Sequence, residues 1–133
     1  LKAKVMTGDG GCTNRFNELA GAASEGVVCT QAGMPVDKMP QGAAFVANFE
    51  KTFPGKKVQI YSPFAYDAVY AIVAAMKAAD SVEPEKIAAA MAKVSIKGLI
   101  GDIAFDEKGD IKGGVITVSE FKGGKMAVVD TVM

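Results

Sequence analysis

Lys4-Val5-Met6-Thr7-Gly8-Asp9-Gly10-Gly11 decides how the chain is read: an apolar, strand-like run stops abruptly in glycines that surround a single carboxylate. Glycine admits backbone conformations closed to other residues and lets a ligand come close. Asp9 is therefore expected to project from a tight strand-end loop into a cleft, where a carboxylate suits a cation. The same residue also fits a plain surface turn, the commonest place for an aspartate beside glycine.

Outward from that turn, the first strand is expected over Lys2 to Met6. Thr13 is placed to cap a short helix over Asn14 to Ala20, whose Phe16, Leu19 and Ala20 share one apolar face. Glu25-Gly26 resets the chain, and Gly26 to Thr30 is apolar and of strand length. Strand, loop, helix, strand in that order predicts a parallel α/β arrangement.

From Gln31 to Gln41 the pattern breaks up around Gly33, Pro35 and Pro40, as a crossing between two structural bodies would. Phe45, Phe49 and Phe53 then recur at i, i+4 and i+8, which predicts a helix with its aromatic stripe in the core, halted by Pro54-Gly55. Val58 to Tyr61 reads as a brief extended segment. Ser62-Pro63 reads as a helix start with serine as the cap, and the helix runs to about Ala79. Ala65, Ala68, Val69, Ile72, Val73 and Met76 cover much of its circumference, which predicts a buried organising helix. Pro84 opens another, with Ile87, Ala90, Met91 and Val94 as its stripe.

The last third changes period. Ile103 and Phe105 lead into the polar turn Asp106 to Asp110, and Val115 to Phe121 is β-branched and extended. Gly123-Gly124 joins it to Met126 to Val129, a two-residue hairpin signal. Helices in the middle and strands at both ends imply that the ends meet.

Bulk properties narrow the functional classes. The 133 residues carry 15 basic and 15 acidic side chains, so no basic surplus points to nucleic acid or anionic lipid. Half of the residues are hydrophobic, enough for a real core, and no apolar run approaches the roughly 20 residues that a membrane span needs. The chain contains no histidine and only two cysteines, Cys12 and Cys29, which removes the usual zinc ligand sets and catalytic triads. No metal or other cofactor is implied. Oxidised, the two cysteines would close a loop worth roughly 3 kcal/mol and place the protein outside the cytosol; reduced, they are two small buried thiols. Leu1 is not an initiator methionine and the strand-like run begins almost at once, which suggests a cleaved or excised segment.

Two further motifs carry no chemistry. Gly8 to Gly11 before a helix is superficially like a phosphate loop, but Thr13 stands where a third glycine belongs, no Gly-Lys-Ser/Thr follows, and Asp9 would repel a phosphate. Asp106 to Asp110 departs from a calcium loop at Lys108 and Gly109, so it reads as a turn.

Taken together, Gly8-Asp9-Gly10, Ala20-Gly21, Ala23 to Val28, Tyr61-Ser62-Pro63-Phe64-Ala65-Tyr66-Asp67-Ala68 and Gly101 to Gly113 resemble the Leu/Ile/Val-binding family of type I periplasmic binding proteins, in family order and spacing. These serve ABC importers of amino acids. The resemblance implies two α/β lobes with parallel sheets, joined by three crossovers and closing around a ligand by a hinge motion. It implies that this chain is an incomplete C-terminal portion: residues 1–31 would end the second lobe, 32–113 belong to the first, and 114–133 return to the second.

The resemblance also assigns residues. Asp9 maps onto the acidic position that receives the ligand's α-ammonium, where many relatives carry glutamate, and Tyr61 maps onto the aromatic pocket position. A buried ammonium needs a paired carboxylate and an aliphatic side chain needs an apolar wall, so both roles make physical sense. The groups that hold the ligand carboxylate would lie outside this chain. Asp67 is read as structural, and the crossings are placed at Thr30-Gln31-Ala32 and Gly113-Gly114-Val115.

The expected function is therefore extracytoplasmic, periplasmic capture of a branched-chain amino acid and its delivery to a membrane permease, without catalysis. The alternatives are a sensory binding module of the same fold for an amide or aromatic acid, and a small α/β enzyme in which Cys12 beside Asp9 is the only nucleophile worth naming. With much of each sheet outside the chain, apolar faces and strand edges should be exposed, so the isolated chain should pair with another copy or with the missing N-terminal part.

Overall fold

The computed structural model describes residues 3–133; Leu1 and Lys2, including the start of the expected first strand, lie outside the described residues. Two compact units form. One comprises residues up to Met34 together with Gly114–Met133, and the other Pro35–Gly113.

The first unit is built on a four-stranded mixed sheet. Strand β1 (Met6–Thr7) runs parallel to β2 (Val28–Ala32), and β2 lies antiparallel to β5 (Ile116–Lys122), which lies antiparallel to β6 (Lys125–Val132). The β2–β5 ladder, with Cys29 opposite Ser119 and Gln31 opposite Thr117, closes the unit, so the two ends of the chain do meet. Among the described residues parallel pairing joins only β1 and β2, and β1 is shorter than the sequence suggests. Lys122 pairs with Lys125 across Gly123-Gly124, both of which have positive φ (58° and 73°). A two-residue loop matching the right-handed twist of its strands needs φ > 0 at both positions, which glycine supplies without strain.

Helix α1 (Asn14–Ala20) forms where expected, and the Thr13 hydroxyl accepts the Phe16 N–H at 3.3 Å, satisfying one of the donors that a helix start leaves open. Phe16 stacks on Phe121 at 5.1 Å between ring centroids, over a core of Cys12, Val27, Cys29 and Phe121.

The second unit is mainly helical: α2 (Gly42–Thr52), α3 (Ser62–Ala79) and α4 (Pro84–Met91), with a small antiparallel pair of β3 (Ser95–Lys97) and β4 (Asp102–Ala104). Its core is Ala71, Ala75 and Val94, flanked by Ile87, Ala90 and Met91, so the stripe read on α4 does face inward. Three expectations need correction here. The extended segment expected over Val58 to Tyr61 gives way to a turn at Ile60-Tyr61, with Tyr61 in helical backbone (φ −91°, ψ −7°). The Ser62 hydroxyl accepts the Gln59 N–H at 2.9 Å and so shapes the turn before α3, while Tyr61 occupies the cap position and Pro63 the first turn. Helix α3 is not buried over most of its circumference: only Pro63, Asp67, Ala71 and Ala75, one i, i+4 line, are fully covered, and Val69 is 60% exposed. Alanine along that line lets α4 approach closely, but one line is too narrow to hide the whole apolar surface.

Candidate functional site

Asp9 stands where the sequence places it, on a single 3-10 turn (Asp9–Gly11) directly after β1. The turn is closed by the Gly11 N–H on the Gly8 carbonyl and the Cys12 N–H on the Asp9 carbonyl, each at 3.0 Å. Asp9 itself is exposed, and its carboxylate accepts the Gly10 N–H at 2.9 Å, which fixes the side chain's direction relative to the turn. A Cβ at Gly11 would run into the Thr7 side chain, so the absence of a side chain there lets the turn close tightly on the strand end.

Immediately beyond, Cys12 and Cys29 are joined as a disulfide with a Cα–Cα separation of 5.5 Å. Cys29 sits on β2 beside Thr7 of β1. The crosslink therefore ties the far end of the Asp9 turn to the strand next to its near end. The pair is buried among Val27, Phe121 and Phe16, with Met126 sulfur 3.9 Å from Cys29 Sγ. No thiol is left beside Asp9 to act as a nucleophile. Ser24, whose hydroxyl donates to Asn17 Oδ1 at 2.6 Å, and Asn17, which donates to the Gly124 carbonyl at 2.8 Å, brace α1 against the β5–β6 hairpin behind the turn. Their roles were not legible from the residues, because both bonds join segments remote in sequence or follow a turn no pattern announces.

Tyr61 belongs to the second unit, at the threshold of α3, with its side chain half exposed. Asp67, one and a half turns on, is 2% exposed, and its two oxygens accept the Leu99 N–H at 2.9 Å and the Ile100 N–H at 2.7 Å. That is the structural role read from its position. Gln31 lies within β2, opposite Thr117, and the ladder persists to Ala32 and the Gly33 N–H on the Val115 carbonyl. Gly113 has φ +67° and ends the second unit.

The aromatic stripe gives the largest departure from the sequence reading. Phe45, Phe49 and Phe53 do not form a closed core: Phe45 and Phe49 are half-buried and Phe53 is exposed. They form one wall of an open groove of about 580 Å³ in the second unit, with Tyr66, Tyr70 and Val73 of α3 opposite. Phe45 meets Tyr66 edge-on at 5.3 Å, and the Tyr66 hydroxyl donates to that of Tyr70 at 3.3 Å. That bond raises the Tyr66 pKa above its usual value, because ionisation would remove the donated proton; partial desolvation and the nearby Tyr70 and Asp67 act in the same direction. The signal for the groove was present in the i, i+4 spacing of Tyr66 and Tyr70, but spacing alone does not tell a covered stripe from an open one.

Among the described residues no group of three or more histidine, cysteine, aspartate or glutamate side chains could hold a metal ion, and no helix is long and apolar enough to cross a membrane.

The family model described as periplasmic binding protein matches residues 1–125. A Leu/Ile/Val-binding protein homolog 1 from Brucella suis is 37% identical over 113 residues, which are 84% of this chain and 30% of that protein. A leucine-, isoleucine-, valine-, threonine-, and alanine-binding protein from Pseudomonas aeruginosa is 31% identical, over 91% of this chain and 32% of its own length. The crystal structure of a leucine-binding protein from Thermotoga maritima superposes with a TM-score of 0.81 at 26% identity, over 99% of this chain and 38% of that one. The chain thus spans about 30% of the length of the curated relatives it matches. The fold is that of type I periplasmic binding proteins, and with Leu/Ile/Val-binding proteins among its relatives, the chain belongs to the periplasmic binding protein family.

Proposed function

We propose that this chain forms part of an extracytoplasmic solute-binding protein that captures an amino acid, preferably branched-chain, and hands it to an ABC-transporter permease without chemistry. The observation that carries the reading is Asp9: an exposed carboxylate held on a rigid strand-end turn, in a family whose similar members are named for leucine, isoleucine and valine. Asp9 receives the ligand's ammonium group, which must exchange its hydration for a paired anion, and Tyr61 contributes apolar wall to the aliphatic side chain. An acid lacking an amine would set its charge against Asp9, so amino acids are favoured over aromatic acids. The Cys12–Cys29 disulfide suits an oxidising, extracytoplasmic compartment such as the periplasm.

On this reading the unit of residues up to Met34 with Gly114–Met133 corresponds to the second lobe, and Pro35–Gly113 to part of the first. The crossings near Gln31 and Gly113 carry the hinge. Backbone rotation at Gln31 would break its ladder with Thr117, so the bending on the first crossing falls to Gly33 (φ +77°) and the residues after it.

Titration calorimetry with leucine on the longest polypeptide that the gene encodes tests the assignment. The expected result is saturable binding that Asp9→Asn weakens at least about tenfold, roughly 1.4 kcal/mol. Absence of amino-acid binding overturns the function, and unchanged affinity in Asp9→Asn overturns the site.

A further inference from the structure

The Asp9 turn has no buried side chain of its own to hold it in place. Three of the four residues from Gly8 to Gly11 are glycines, Asp9 is exposed, and no residue of the 3-10 turn is buried. Glycine loses more conformational freedom on ordering than any other residue, so such a turn is costly to keep in one conformation. We infer that the Cys12–Cys29 disulfide is a positioning pair for the ligand site, a role that rests on the reading of Asp9 as the ammonium-binding residue. The crosslink sets the Asp9 carboxylate in place before a ligand arrives, and its removal weakens binding of an α-ammonium in a protein that is still folded.

The geometry makes a short closed circuit. From Thr7 the chain runs through Gly8, Asp9, Gly10 and Gly11 to Cys12, crosses the disulfide to Cys29, and returns to Thr7 across the β1–β2 pairing. Both ends of the glycine run are thus fixed to the same residue, Cys29: Thr7 by strand register and Cys12 by a covalent bond. Cys12 is the first fully buried side chain after the turn, and both cysteines are shut into the core with Val27 and Phe121. The Cys12 N–H also donates to the Asp9 carbonyl at 3.0 Å, so the anchored residue is bonded directly to the one whose side chain meets the ligand. With the turn fixed, the bond from the Gly10 N–H to the Asp9 carboxylate at 2.9 Å gives that carboxylate a set direction. A carboxylate on a wandering turn must be ordered at the moment of binding, which lowers affinity; one ordered beforehand carries no such penalty.

The test uses the longest polypeptide that the gene encodes, with leucine as the probe. Cys12→Ala/Cys29→Ala is compared with Val27→Ala, which trims the same core and leaves the disulfide intact. Circular dichroism first establishes that each is folded at the temperature of the experiment. Cys12→Val/Cys29→Ala, which refills vacated volume, takes the place of the double alanine variant if that one does not fold. Backbone nitrogen relaxation should show order parameters at Asp9 and Gly10 falling from the ~0.85 of rigid backbone to below about 0.6 without the disulfide, and not in Val27→Ala. Calorimetry should show leucine binding at least about fivefold weaker without the disulfide and unchanged in Val27→Ala. In the Asp9→Asn background that loss should shrink to less than about twofold, because a carboxylate that is absent cannot be misplaced, and groups acting through one another are not additive. Unchanged order parameters, unchanged affinity or an equal loss in Val27→Ala overturn the inference. Full additivity with Asp9→Asn, or failure of both disulfide-free variants to fold, overturns it in favour of a purely structural crosslink. An unaltered protein that binds no amino acid overturns the proposed function instead, and the order parameters, which need no ligand, then decide alone whether the disulfide positions the turn.

Discussion

The Asp67 carboxylate on α3 accepts the backbone N–H of Leu99 at 2.9 Å, and its second oxygen takes that of Ile100 at 2.7 Å, so one buried side chain holds the loop between β3 and β4 against the helix. Among the described residues no ion pair involves this aspartate. Two amide donors in fixed geometry meet its two oxygens, which is how a buried carboxylate can be tolerated.

Removing that side chain should be costly. Asp67→Ala strands two N–H groups, one of them buried, at about 1–3 kcal/mol each, so a loss of roughly 2–4 kcal/mol is expected. Asp67→Asn keeps one acceptor and should lose less. Urea denaturation of the three proteins checks the order; equal stability of Asp67→Ala and the unaltered chain would refute the clamp.

The disulfide should support the first unit chiefly by restricting the unfolded chain. Cys12 and Cys29 are 17 residues apart, so the double substitution to alanine, or reduction, should cost about 3 kcal/mol. Tm measured with and without dithiothreitol reads this directly. Because the crosslink also anchors the Asp9 turn, loosening of the turn should appear as faster amide exchange at Gly10 and Gly11.

A pH dependence follows from Asp106. Its carboxylate accepts the N–H groups of Asp110 at 2.9 Å and Lys108 at 2.8 Å, and these bonds, with smaller help from Gly109 and Lys112, hold its pKa below the ordinary carboxylate value. A depressed folded-state pKa means that the unfolded chain binds the proton more readily. The contribution is complete above the unfolded value near 4 and disappears as pH falls through the folded one. The Asp106→Asn variant should therefore show a weaker loss of stability between about pH 5 and pH 2 than the unaltered chain, measured by thermal melts across that range. Superimposable profiles would remove Asp106 from the account.

Elements whose cause is local were legible from residues alone. Thr13 before a short amphipathic run specified α1 and its cap, the i, i+3, i+4, i+7 stripe specified α4, and two adjacent glycines between β-branched runs specified the β5–β6 hairpin. Asp9 was placed correctly on its turn for the same reason, since glycines on both sides leave little else for the chain to do there.

What only the tertiary structure decided depends on partners far along the chain. Ser62 looked like a helix cap, but its hydroxyl had a nearer donor in the preceding turn. Cys12 had two equally good fates until β1 and β2 lay side by side and brought Cys29 within bonding distance. The stripe of Phe45, Phe49 and Phe53 had the period of a buried face, yet burial is a property of what lies opposite, and opposite it stand Tyr66 and Tyr70 across an open groove. Periodicity tells which side chains share a face; only the rest of the fold determines whether that face is covered.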